Sequence, residues 1–161
     1  MTSSREIIKA IEKKAFHPIY LLHGEESYYI DQISAAIQEH ALEEHERDFN
    51  QTVVYGKDVD LIALLGQLKQ YPMMAERQLV ILKEAQDIKD WEPLEKYLSD
   101  PIPTTIFVIC HKHKKADTRK KYVKAIQQSK GVIFESKKLY ENQLDGWVNA
   151  FLKEKDFFIS P

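Results

Sequence analysis

Short apolar runs rich in β-branched and aromatic residues recur along the chain at Ile19 to Leu22, Phe49 to Tyr55, Gln78 to Lys83, Thr104 to Cys110 and Val132 to Glu135, and each reads as a strand. Between them the apolar positions fall at helical spacing: Ile30, Ile33 and Ile37; Leu61, Ile62, Leu65 and Leu68; Trp91, Leu94, Tyr97 and Leu98; Tyr122, Val123 and Ile126. Ahead of the first strand, Ile7, Ile8 and Ile11 share that spacing. Strands that alternate with helices need crossover connections. The pattern therefore predicts a largely parallel sheet covered by helices on both faces, a three-layer α/β fold. Ser27 and Asp58 are the expected N-caps of the first two intervening helices, and Pro101 and Pro103 mark the approach to the fourth strand.

Near Lys138 the pattern changes. Leu144, Trp147, Val148, Phe151 and Leu152 describe an amphipathic helix with no strand after it, so residues 1–138 are expected to form one domain and residues 139–161 to begin a second unit. The chain stops at Phe157-Phe158-Ile159-Ser160-Pro161, where Ser followed by Pro is the pair expected to open another helix. This predicts an N-terminal piece of a longer polypeptide.

Composition places the chain among ordinary globular proteins: 43% hydrophobic and 30% charged residues, with five glycines and six prolines in 161 residues, argue against disorder or a collagen-like array. A net charge of −2 gives no global attraction to nucleic acid or to an anionic membrane, so such a contact needs a local patch. Charge is segregated. Glu39 to Asp48 is acidic, whereas Lys112 to Lys124 holds seven Lys or Arg against Asp117. The single cysteine, Cys110, lies in an apolar run where it is expected to be a small buried hydrophobe. No cleavable leader is evident after Met1, and no stretch approaches the roughly 20 apolar residues needed to span a bilayer, so a cytoplasmic location is expected.

The first strand-turn-helix, Ile19 to Asp31, sits where a nucleotide-binding α/β domain carries its phosphate loop. A P-loop reads G-x-x-x-x-G-K-[ST], because glycine amides curl around the phosphates while a lysine and a hydroxyl engage terminal oxygens and Mg²⁺. Counted from Gly24, Tyr29 stands at the second glycine, Ile30 at the lysine and Asp31 at the hydroxyl. Glu25 and Glu26 add two carboxylates that would repel a triphosphate, although a helix N-terminus itself favours anions. The alternative is that Gly24 is an ordinary turn. At the end of the third strand, where an ATPase carries its Mg²⁺-binding acid, stand Lys83 and Glu84.

Other constellations are weaker. His17, His23, His40 and His45 have no serine-acid or cysteine pairing at a recognisable spacing. In Cys110-His111-Lys112-His113, strand alternation puts the two histidines on one face and the cysteine on the other, which disfavours a metal site. Within Lys112 to Lys124, Lys114, Lys115, Arg119 and Lys120 are candidate phosphate contacts, with a solvated helix face as the alternative. The connection Gln70-Tyr71-Pro72-Met73-Met74-Ala75-Glu76-Arg77 joins a helix to the third strand, and Pro72 ends the helix. Consecutive Met73 and Met74 cannot both point easily inward. At least one is expected to be an exposed, adaptable peg for a partner's hydrophobic pocket, the alternative being a pair tucked under the loop.

Pro18-Ile19-Tyr20-Leu21-Leu22-His23-Gly24-Glu25-Glu26-Ser27-Tyr28-Tyr29-Ile30 and Pro72-Met73-Met74-Ala75-Glu76-Arg77-Gln78-Leu79-Val80-Ile81-Leu82 resemble the delta subunit of the bacterial DNA polymerase III clamp loader. Trp147, followed by Phe157-Phe158-Ile159-Ser160, agrees in order and separation. The resemblance implies a RecA-like, AAA+ type domain with a five-stranded mostly parallel sheet and a degenerate P-loop, then the start of a helical lid. A collar domain would follow, through which the subunit mainly meets the other loader subunits. It implies no catalysis by this domain, no bound nucleotide, no metal and no other cofactor. In the family, two adjacent large hydrophobic residues before the third strand insert into the ring-shaped sliding clamp and open one of its interfaces. Met73 and Met74 match them, with Tyr71 and Pro72 shaping the loop, and methionine at the second place departs from a frequent aromatic residue. Primed DNA is a further partner of the full complex, and no membrane is implied. The competing readings are a P-loop-like ATPase or kinase and a nucleic-acid-binding module that uses the basic face.

Overall fold

The computed structural model describes residues 3–137, and all five apolar runs are strands of one sheet. They are β1 (Ile19–Gly24), β2 (Gln51–Tyr55), β3 (Gln78–Lys83), β4 (Thr105–Lys112) and β5 (Val132–Glu135), in the order β2-β3-β4-β1-β5. Every neighbouring pair is parallel, with Leu21 opposite Ile109 and Ile133, and Val53 opposite Ile81. The helices are α1 (Ser4–Glu12), α2 (Ser27–Ala41), the single turn α3 (Arg47–Asn50), α4 (Leu61–Leu68), α5 (Glu92–Ser99) and α6 (Lys121–Gln128).

Because both faces are covered, the central strands are apolar on both sides and buried almost throughout. One face carries Ile19, Leu21, Val80, Leu82, Phe107 and Ile109 against α4, α5 and α6. The alternate residues Tyr20, Leu22, Leu79, Ile81, Ile106 and Val108 pack against Ile7 and Ile11 of α1 and Ile30, Ile33 and Ile37 of α2. Cys110 lies in this second cluster, and burial pushes its thiol up to about 11, which leaves it inert.

Several boundaries differ from the sequence pattern. Phe49 and Asn50 belong to α3 rather than to the second strand, β1 runs two residues further, and β4 starts at Thr105 and continues through Lys112. Neither expected N-cap is used. Glu26, in extended backbone, caps α2 by accepting the Tyr28 amide at 3.0 Å, so Ser27 is already the first helical residue. Asp58 is held in the turn after β2 by its amide to Tyr55, and Asp60 caps α4 by accepting from Ile62 and Ala63. Each cap is worth about 1 kcal/mol. The second unit expected over 139–161, with its Leu144, Trp147 and Phe151 face, lies outside the described residues. Among the described residues no helix is long and apolar enough to cross a membrane.

Candidate functional site

The parallel sheet has two ends, and the sequence places a candidate at each. At the carboxyl end, only Glu25 and Glu26 separate β1 from α2. Gly24 takes φ +130°, and an added Cβ would lie 2.2 Å from the Ser136 carbonyl oxygen. Ser136 crosses directly over the turn. Its amide donates to the His23 oxygen at 2.7 Å and its carbonyl accepts from the Glu26 amide at 3.2 Å. The helix end is thus occupied by protein, with the Glu26 carboxylate on the Tyr28 amide where an anion would bind. Asp31, at the hydroxyl position of a P-loop, has Lys112 Nζ at 2.6 Å. Glu84 adopts a left-handed backbone and accepts from the Gln86 amide group, which in turn accepts from the Lys112 amide at 3.0 Å. The amides of Glu26 and Tyr28 are thus taken by protein, and the carboxylates of Glu26, Asp31 and Glu84 each have a partner within the chain, while Glu25 is exposed.

Two buried histidines brace the same end. His23 Nδ1 accepts from the Ala116 amide at 2.9 Å, which fixes the neutral tautomer with the proton on Nε2. His111 Nδ1 lies 3.0 Å from the Lys114 carbonyl, so there Nδ1 carries the proton. Burial lowers both pKa values below the ordinary 6.5, and for His23 nearby His111 and Lys115 add to the shift against an opposing Glu135. The unfolded chain therefore binds more protons between the lowered values and 6.5. The contribution of the two histidines to stability should be level above pH 7 and fall as the pH drops below 6.5. Thermal melts across that range test this, and His23→Asn, which keeps an acceptor for Ala116 but does not titrate, should flatten the slope.

The amino end of the sheet carries the methionine loop. α4 stops at Leu68, before Pro72, and its last carbonyls are taken by side chains of β3 and β4. Gln78 Nε2 donates to the Gln67 and Gln70 oxygens at 2.8 and 2.9 Å, and Thr105 Oγ1 donates to the Leu68 oxygen at 2.9 Å. On that base the loop projects outward. Tyr71 is 80% exposed, Met73 61% and Met74 100%, with Pro72 half-buried. Met74 stands in left-handed backbone at φ 54°. Neither methionine is tucked under the loop. The loop is also pinned from the side: Asn50 Oδ1 accepts from the Met73 amide at 2.7 Å, and Asn50 Nδ2 donates to the Met73 oxygen at 2.9 Å. Asn50, Gln78 and Thr105 escape sequence reasoning because their partners are many residues away. For Gln78 and Thr105 the local hint is a polar residue opening an apolar strand.

The basic segment divides. Lys112 pairs with Asp31, and Arg119 lies in a two-point contact with Asp117, Nε at 3.0 Å and Nη2 at 3.2 Å. That guanidinium holds the Asp117 carboxyl below its usual range. Lys114, Lys115 and Lys120 instead line a cleft of about 300 Å³ together with Lys89 and the Asp117 that Arg119 engages. Its wall is the Trp91–Tyr122 pair, stacked at 4.2 Å and 7°. Both rings are buried, and burial pushes the Tyr122 phenol up to about 12. Among the described residues no group of three or more His, Cys, Asp or Glu could hold a metal ion, and Cys110 lies in the opposite layer from the cleft that His111 lines.

The model of the family described as DNA polymerase III, delta subunit, matches residues 20–137. DNA polymerase III subunit delta of Bacillus subtilis (strain 168) is 28% identical over 144 residues, covering 83% of this chain and 41% of that protein. The solved Bacillus subtilis DNA clamp loader delta protein superposes with a TM-score of 0.82 at 26% identity, covering 95% of this chain and 48% of the other. A DNA polymerase III gamma subunit-related protein from Thermotoga maritima shares the fold, with a TM-score of 0.55 at 14% identity, 95% of this chain and 52% of that one. The chain thus spans about half, or less, of the length of these relatives.

Proposed function

We propose a mechanical role for this chain, which belongs to the DNA polymerase III delta-subunit family by its match over residues 20–137: it grips the replication sliding clamp through Met73 and Met74 and holds one ring interface open, without binding ATP or catalysing a reaction. The observation that carries this reading is the fully exposed Met74 beside Met73 on a loop whose base is held by half-buried hydrogen bonds. Exposed thioethers on a fixed backbone fill an irregular apolar pocket with little ordering cost. A peg that binds the open ring tenfold better than the closed one shifts that equilibrium by about 1.4 kcal/mol. Residues 1–138 then act as an AAA+ type domain and 139–161 as the start of a lid. The other loader subunits, in the cytoplasm, hydrolyse the ATP, and they are met mainly through regions beyond this chain.

The nucleotide part of the reading is tested by titrating the chain with Mg-ATP in a calorimeter. No heat is expected, because the Gly24 turn is crossed by Ser136 and its helix end is occupied by Glu26. Saturable heat would favour an ATPase or kinase.

A second contact is favoured by the way Lys89 joins Lys114, Lys115 and Lys120 around one cleft while Arg119 is diverted to Asp117. We propose that these lysines touch phosphates of the primed DNA in the full complex. Lys114→Gln with Lys115→Gln should weaken DNA binding by the whole loader and reduce the steepness of its log–log salt dependence by about 2. An unchanged slope would assign the lysines to solvent.

A further inference from the structure

The apolar surface at the amino end of the sheet extends past the methionine loop onto a second element. Phe49 has the composition of a strand residue but sits in the single turn α3, 72% exposed and outside both core clusters. Its neighbour Asn50 is buried and ties the two elements together. Asn50 Oδ1 accepts the Met73 amide, and its Nδ2 donates to both the Met73 and the Glu46 oxygens, at 2.9 Å each. All three bonds match in only one orientation of the amide, since the flipped group would set NH2 against the Met73 N–H and an oxygen against two carbonyls. One side chain therefore fixes the separation between the Phe49 backbone and the Met73 backbone before any partner arrives. Single exposed apolar residues are ordinary, but exposed Phe49 here adjoins the buried amide that pins Met73, on a loop that also exposes Tyr71 and Met74.

We propose that Phe49 is a third anchor on the sliding clamp and that Asn50 is a positioning residue that sets its spacing from the Met73–Met74 peg. This rests on the clamp-binding reading. The occupant is the same clamp, since a pocket that takes Met73 and Met74 brings its rim over the adjoining turn. Pre-organisation of the two anchors lowers the ordering cost of binding.

The test is the binding kinetics of this chain on the immobilised cognate clamp. Phe49→Ala should weaken affinity roughly tenfold, the loss typical of truncating an aromatic anchor, with the melting temperature unchanged. Tyr55→Ala removes another exposed ring, at the opposite end of β2, and should change nothing. Asn50→Asp sets an oxygen against two carbonyls and should both weaken binding and shrink the penalty of Met74→Ala, a coupling that a purely structural role would not produce. An undiminished Met74→Ala penalty in that background would remove Asn50 from the proposal. If Phe49→Ala binds as tightly as the parent while loss of both methionines abolishes binding, the third anchor is wrong and the peg stands. If loss of both methionines leaves binding intact, the clamp reading and this inference fall together.

Discussion

Replacing Met73 and Met74 together with serine is expected to weaken binding to the sliding clamp at least about a hundredfold, and to shift the melting temperature by no more than about 2 °C. Each methionine that moves from water into a pocket contributes roughly 1.5–3 kcal/mol, so losing two removes several kcal/mol, and each 1.4 kcal/mol is tenfold. The fold should not register the loss. Met74 is fully exposed and Met73 mostly so, and the bonds that pin the loop run from Asn50 to the Met73 backbone, which serine retains. Exposed substitutions of this kind stay within about 0.5 kcal/mol. Had the methionines been core residues, the same change would cost about 2–5 kcal/mol per side chain. Affinity by surface-immobilised clamp and stability by thermal melting separate the two outcomes, because the peg predicts loss of the first alone.

Gly24→Ala should do the reverse. A Cβ there meets the Ser136 carbonyl oxygen at 2.2 Å and demands φ +130° of an L side chain. Relief requires moving Ser136, yet its amide is bonded to His23 and its carbonyl to Glu26. Strain and steric overlap of this sort cost roughly 2–4 kcal/mol, or a melting temperature lower by about 10 °C for a domain of this size. Gly24 ends β1 at the carboxyl end of the sheet, whereas the methionine loop enters β3 at the amino end. Below its own transition the variant should therefore bind the clamp like the parent. A loss of affinity with no loss of stability would mean that the turn itself touches the partner. A variant as stable as the parent would show that Ser136 does not cross the turn.

Much of the architecture was legible because burial on both faces writes itself into composition. Runs such as Leu79-Val80-Ile81-Leu82 and Ile106-Phe107-Val108-Ile109 are apolar at every position only because alternate residues face different helix layers. The missing P-loop residues after Gly24 were readable too, since that chemistry depends on residue identity at fixed spacing. Phe49 was misread because an aromatic residue beside β-branched neighbours favours a strand. The competing factor was local: a short turn of helix at Arg47–Asn50 lets Asn50 reach back to Glu46 and across to Met73. Ser27 and Asp58 failed as caps for a similar reason, since Glu26 and Asp60 stood closer to the free amides. Pairings between distant segments left no trace in the sequence. Neither Asn50 with Met73 nor Lys89 with Lys114 can be inferred from spacing, and the binding of Arg119 by Asp117 changed which basic residues face the cleft.

A rigid, exposed methionine loop should by itself be enough to hold the clamp. Size-exclusion chromatography of this chain mixed with its cognate sliding clamp tests that directly. The two should co-elute ahead of either alone, and should separate when Met73 and Met74 are replaced by serine. Separate elution of the unaltered chain and the clamp would contradict it.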